Sequence, residues 1–192
     1  MVIAFHKPYG VLSQFTEEIG SKFRTLAEFG FPKNVYPLGR LDADSEGLLL
    51  LTDEPQLNHK LLHPDFNHKR TYLVQIENIP TIENIERLQN GVSIQGYTTL
   101  PCLLKLLISP PEIPERTPPV RFRATIPTSW IELELTEGKN RQVRRMTAAI
   151  GHPTLRLIRI KIGDFTLGEL PIGAWRIIDR IERQRIFGNG YH

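Results

Sequence analysis

Alternation is the strongest pattern in the chain. Over residues 70–77, Tyr72, Val74 and Ile76 fall on one face and Thr71, Leu73 and Gln75 on the other, the two-residue period of a β-strand. Residues 130–136 alternate in the same way. So do residues 154–162, where Arg156, Arg159 and Lys161 sit among Leu155, Leu157, Ile158 and Ile160. Residues 48–51 are instead an unbroken apolar run leading into Thr52, too short for an independent helix and suited to a buried strand. Residues 1–5, 35–41, 92–94, 100–108 and 175–178 read as further strands. Helical spacing is confined to a few stretches. Residues 25–29 predict a short helix stopped by Gly30, and residues 56–63 another ended by Pro64. Thr81 reads as the N-cap of a helix with Ile82, Ile85 and Leu88 as its apolar stripe and Gly91 after it. Asn140 is expected to cap a helix that buries Val143, Met146 and Ile150 and ends at Gly151. Residues 109–119, with five prolines among eleven positions, form a loop. Strands outnumber helices and do not interleave with them as βαβ repeats. The expected fold class is α+β with a mostly antiparallel sheet.

A length of 192 residues allows one or two domains, and the 40% apolar and 23% charged fractions are those of a globular protein. No apolar run approaches the roughly 20 residues of a membrane span, and the N-terminus has no secretory pattern, so a cytoplasmic location without membrane contact is expected. The single cysteine, Cys102, lies in an apolar stretch and reads as core rather than nucleophile. Net charge is only +3, but it is segregated: between Lys139 and Lys161 there are seven Lys or Arg residues and no acid. Arg116, Arg121 and Arg123 add a second basic stretch. Such segregation points to a polyanion, with a solvated helix face as the plain alternative.

The densest chemistry lies in Gly39-Arg40-Leu41-Asp42-Ala43-Asp44-Ser45-Glu46-Gly47, where three carboxylates and an arginine are bracketed by glycines just before the apolar run. This is a tight turn delivered onto a core strand, a place where a carboxylate is held to close tolerance. Read from Asp42 as a calcium loop, it lacks flanking helices, has Leu50 at the ninth position and Asp53 where a bidentate Glu is usual. Read as backbone caps, the acids account better for Asp44, Ser45 and Glu46 than for Asp42. The third reading makes Asp42 a catalytic carboxylate.

Residues 39–52 resemble the signature of pseudouridine synthases, in the branch that holds the small-subunit rRNA enzyme A and the large-subunit enzymes B, E and F. His6-Lys7-Pro8-Tyr9-Gly10, Arg70-Thr71-Tyr72-Leu73-Val74 and residues 137–146 support the likeness, and residues 126–159 resemble most closely a member without an S4-like domain. The resemblance implies the pseudouridine synthase fold: a bent, mostly antiparallel sheet in two subdomains with a central catalytic cleft. It implies a catalytic domain over residues 1–183 with no S4-like domain ahead of it, and a flexible tail over residues 184–192. It implies a uridine of large-subunit (23S) ribosomal RNA as substrate, free or in a pre-ribosomal particle, handled by a monomer. No metal or organic cofactor is needed, because the reaction has no redox step or group donor. His59, His63 and His68 cluster, yet lack further ligands at zinc spacing.

By the same resemblance the catalytic residues are Asp42, Tyr72 and Arg144. Asp42 attacks the sugar or removes its C2′ proton, Tyr72 stacks on the target base, and Arg144 offsets the desolvation of Asp42. Without the resemblance Tyr72 reads as a core strand residue. Arg40 enters the stack the uridine leaves, with an ion pair to Asp44 or Glu46 as the structural alternative. Lys7, Arg70, Lys139, Arg141, Arg145, Arg156 and Arg159 complete the expected RNA contacts. Two departures from the usual pattern, His6 for Asn and Arg70 for Lys, leave this chemistry untouched. A non-catalytic RNA-binding assembly factor is the rival reading; it explains the basic surface but not an acidic turn among arginines.

Overall fold

In the computed structural model of the chain, residues 1–62, 68–121 and 123–188 are described. They divide into two compact units, one of residues 1–70 with 158–192 and one of residues 71–157. The first unit holds strands β1 (Val2–Lys7), β2 (Tyr36–Leu38) and β3 (Glu46–Thr52) and helix α1 (Gln56–Leu62). The second holds α2 (Ile82–Asn90), β5 (Ser93–Ile94), β6 (Tyr97–Thr98), β7 (Leu103–Leu106), β8 (Thr128–Leu135) and α3 (Gln142–Ala149). Strands β4 (Arg70–Glu77) and β9 (Thr154–Ile162) contain the divisions, and β10 (Phe165–Thr166), β11 (Trp175–Ile177) and α4 (Arg180–Phe187) complete the first unit. This is the predicted α+β class.

In the first unit the strands follow the order β11-β1-β3-β9, with β2 also on β3 and β10 on β9. All these pairings are antiparallel except β3 with β9, which is parallel in the register Glu46↔Ile158 and Gly47↔Arg159. Both faces of this sheet are covered, which explains the unbroken apolar run. Val2, Ala4, Leu48 and Leu50 pack with Leu57 and Leu61 of α1 and with Ile186 and Phe187 of α4. Phe5 instead meets Phe29 and Phe31 edge-on, at ring separations of 4.9 and 5.1 Å, and Phe31 continues to Trp175. In the second unit β8 lies between β4 and β7, and β5 pairs with β6 as a separate hairpin. Cys102 is buried there with its thiol donating to the Leu88 carbonyl, and burial pushes its pKa up to about 11. It is a core residue, as expected.

The short helix expected over residues 25–29 is present, as a 3-10 helix over Leu26–Phe29 ended by Gly30. Several expectations give way. The strand expected over residues 35–41 is confined to Tyr36–Leu38, and that over residues 100–108 to Leu103–Leu106. Thr81 does cap α2, but Ile82 is 76% exposed and leaves the apolar stripe. The N-cap of α3 is Arg141, in the left-handed region at φ 50°, rather than Asn140. The boundary at Arg183 fails because α4 runs on to Phe187 and buries Ile186 and Phe187; residues 189–192 lie outside the described residues. His63 and Pro64, the predicted end of α1, lie outside them too. Among the described residues, no helix is long and apolar enough to cross a membrane, and no three His, Cys, Asp or Glu are placed to hold a metal ion. Strands β2 and β3, not helices, flank the acidic turn, which removes the calcium-loop reading.

Candidate functional site

Asp42 sits half-buried in the turn between β2 and β3, and the turn's backbone is fixed at three successive residues, Leu41, Asp42 and Ala43. The Ser13 hydroxyl donates to the Leu41 carbonyl at 2.7 Å and accepts from the Leu41 N–H at 3.0 Å. The Ser45 N–H closes the turn onto the Asp42 carbonyl at 3.0 Å, and the Gly10 N–H reaches the Ala43 carbonyl at 2.7 Å. Beyond the turn the chain needs glycine. Gly47 has φ +103°, and a Cβ there would lie 2.3 Å from the Arg159 carbonyl oxygen. The head of β3, just after the turn, is therefore seated against β9 as closely as backbone allows.

The charges beneath it are enclosed. Ser45, Glu46 and Arg159 are buried, and Lys7 is 0% exposed. Lys7 Nζ donates to the carbonyls of Val11 at 2.7 Å and Pro8 at 3.0 Å, so it braces the loop that carries Gly10 and Ser13. Burial pushes the Lys7 ammonium down to about 7; Glu46, Asp44 and Asp42 act to raise it, and Arg159 lowers it further. Arg159 Nε donates to the Leu48 carbonyl at 2.8 Å. Arg40 is exposed on the same turn.

The second unit carries the basic helix. The Leu100 N–H and the Gln142 side-chain amide both donate to Glu137 Oε1, and the Lys139 N–H donates to Gln142 Oε1 at 2.9 Å. These bonds lock the loop that enters α3 through the left-handed Arg141. On α3, Val143 and Met146 are buried while Arg141 is exposed and Arg144 and Arg145 are half-buried, so the arginines share the face opposite the apolar residues. Arg144 Nη1 reaches the Thr154 carbonyl at 3.4 Å, and Arg145 Nη2 donates to Asn140 Oδ1 at 2.7 Å. Lys139 Nζ lies 5.7 Å from the Tyr97 ring centroid. Tyr72, on β4, is only 9% exposed.

Residues 1–149 match the sequence profile of the family described as RNA pseudouridylate synthase. The chain belongs to that family. The synthase is 51% identical over 170 residues to the ribosomal large subunit pseudouridine synthase E of Xanthomonas axonopodis pv. citri, covering 88% of this chain and 90% of the relative. It is 35% identical over 181 residues to the ribosomal large subunit pseudouridine synthase B of Bacillus subtilis, covering 94% of this chain and 69% of that one. A crystal structure of a pseudouridylate synthase superposes with a TM-score of 0.78 at 27% identity, over 96% of this chain and 72% of the other. The fold is that of the pseudouridine synthases, and the chain is an RNA pseudouridine synthase. The reading as a non-catalytic assembly factor gives way to an enzyme.

Within this synthase the first unit holds Asp42, Arg40, Lys7, Arg70 and Arg159, and the second holds Tyr72, Lys139, Arg141, Arg144, Arg145 and Arg156. Four of the expected RNA contacts are buried and tied to backbone carbonyls instead. They are Lys7, Arg159, Arg70 with Nη2 on the Leu61 carbonyl at 2.8 Å, and Arg156 with Nη1 on the Pro114 carbonyl at 3.0 Å. A side chain enclosed in this way is not displayed to a phosphate. Of the other expected contacts, Arg40, Lys139 and Arg141 are exposed and Arg145 is half-buried. Sequence reasoning missed Ser13 and the Glu137–Gln142 lock. No local pattern marks Ser13, but Gln142 is a polar residue on the buried side of a helix start.

Proposed function

We propose that this synthase converts a uridine of large-subunit (23S) ribosomal RNA to pseudouridine, with Asp42 as the catalytic carboxylate. The likeness to a large-subunit pseudouridine synthase over nine-tenths of that protein supports the substrate class. The observation that supports the role of Asp42 is the fixed backbone of its turn: Ser13 holds Leu41, Ser45 holds Asp42 and Gly10 holds Ala43, at the head of a buried strand. The reaction breaks the N1–C1′ bond, turns the uracil and joins C5 to C1′; C5 gives up its proton and N1 ends with one. A fixed carboxylate serves either by attacking C1′ or by removing the C2′ proton.

In this reading Tyr72 stacks on the flipped base and Arg144 keeps Asp42 ionised as the RNA closes over it. Arg40 occupies the stack that the uridine leaves. Lys139, Arg141 and Arg145 take phosphates. The substrate is rRNA, free or in an assembling particle, met in the cytoplasm by a monomer. Asp42→Asn should abolish pseudouridine formation on a 23S fragment while leaving the urea midpoint near that of wild type. Near-wild-type turnover by the folded variant would remove Asp42 from the chemistry.

A further inference from the structure

Arg159 is an unusual cation for an RNA-binding protein. It is 4% exposed, its Nε is committed to the Leu48 carbonyl at 2.8 Å, and its Nη2 is buried with no hydrogen-bond partner among the described residues. Its backbone stands opposite Gly47 where β3 and β9 run parallel, so close that no Cβ fits between them. An uncompensated buried guanidinium is strongly unfavourable. Glu46, Asp44, Asp42 and Arg159 all act on the buried Lys7 ammonium, which puts the guanidinium and the three carboxylates of the turn in one charged cluster.

We propose that Arg159 is a positioning residue for the isomerisation: it pins the head of β3 through the Leu48 carbonyl and keeps a permanent positive charge in the cluster that holds Asp42. This rests on the reading of Asp42 as the catalytic carboxylate. Lys7, the other buried cation of the cluster, is pushed down to about 7 by burial, so its charge is lost as pH rises above neutrality. A guanidinium does not lose its proton in this range and can donate through Nε while its terminal nitrogens remain charged, which a lysine cannot imitate. One side chain thus fixes the height of the strand head and adds a lasting charge to its cluster.

The test is the pH profile of kcat on a 23S rRNA transcript for wild type, Arg159→Gln, Arg159→Lys and Asp42→Asn. The acid limb of kcat reports ionisation of the catalytic carboxylate in the complex. Arg159→Gln should lower kcat by about tenfold or more and move the acid limb up by about one pH unit, with KM and salt dependence unchanged. Arg159→Lys should leave the acid limb in place yet reduce kcat by about threefold or more, because an ammonium does not reproduce the Nε bond to Leu48. A folded Arg159→Gln with the wild-type acid limb overturns the proposal. So does an effect confined to KM and salt slope, which would make Arg159 a phosphate ligand. Should Arg159→Gln fail to fold, Arg159→Lys decides the matter, and wild-type kcat in that variant overturns the proposal. Activity in Asp42→Asn overturns the carboxylate reading and this inference with it. An inactive Asp42→Asn beside an unshifted Arg159→Gln overturns the positioning role alone.

Discussion

Lys7 carries a cost that the fold accepts in order to brace its N-terminal loop. Its ammonium is wholly buried and satisfied by two carbonyls, yet burial lowers its pKa from 10.5 to about 7. The sign of the resulting pH dependence follows directly. Between those two values the unfolded chain holds the proton that the folded chain has released, so stability rises with pH across this window. Below about pH 7 both states are protonated and the cost of burying the charge is felt in full. Replacing Lys7 with the apolar, similarly long methionine removes this dependence. The stability difference, wild type minus Lys7→Met, should therefore grow between about pH 6.5 and about pH 9, read from urea midpoints. A difference that stays flat or shrinks would mean the ammonium is not titrating in the fold.

Helix α4 shows what a local pattern leaves out. Residues after Arg183 read as a tail because they hold little apolar content, but Ile186 and Phe187 sit in the core beside Leu57 and Leu61. The helix is held at two points: a capping box between Asp179 and Glu182 at its start, and Arg183 Nη1 on Glu54 Oε1 at 2.6 Å, 129 positions away in sequence. By contrast β4 and β9 were legible to the residue, because alternation is a property of neighbours alone. The basic stretch misled for a related reason. Arg156 and Arg159 look solvated in an alternating strand, but their partners Pro114 and Leu48 are distant in sequence and no spacing announces them. The same long-range hold of α4 makes a pH prediction. Arg183 draws the Glu54 carboxyl down from 4.5 to about 2, so the stability this pair supplies is present above about pH 4.5 and is lost as pH falls towards about 2. Wild type should be more stable than Glu54→Gln near neutrality, and the two should converge in acid; urea midpoints that differ equally at both pH values would argue against the pair.

At the scale of the whole molecule, the catalytic assignment divides between the units: Asp42 belongs to one, Tyr72 and Arg144 to the other. Arg144 lies among arginines of similar sequence appearance, so its proposed role must be separated from theirs by what each contributes. Arg141 is exposed, Arg145 is half-buried beside Asn140, and Lys139 is exposed over Tyr97. If these three neutralise phosphates, Arg141→Ala or Arg145→Ala should weaken RNA binding and lower the log–log salt slope by about 0.7–0.9 for each phosphate left without its cation. Arg156→Ala should leave that slope alone, because its guanidinium is buried on the Pro114 carbonyl. Arg144→Ala should differ from all of them. Removing the partner of a buried charge costs about 3–5 kcal/mol, and at about 1.4 kcal/mol per decade that is at least about a hundredfold in kcat at saturating RNA. Binding and salt slope should change little. If Arg144→Ala instead weakens affinity and flattens the slope like Arg141→Ala while turning over normally, Arg144 is a phosphate ligand and Asp42 is kept ionised from within its own unit. The buried cations there include Lys7 and Arg159, and of these two only Arg159 keeps its charge at every pH the reaction could use.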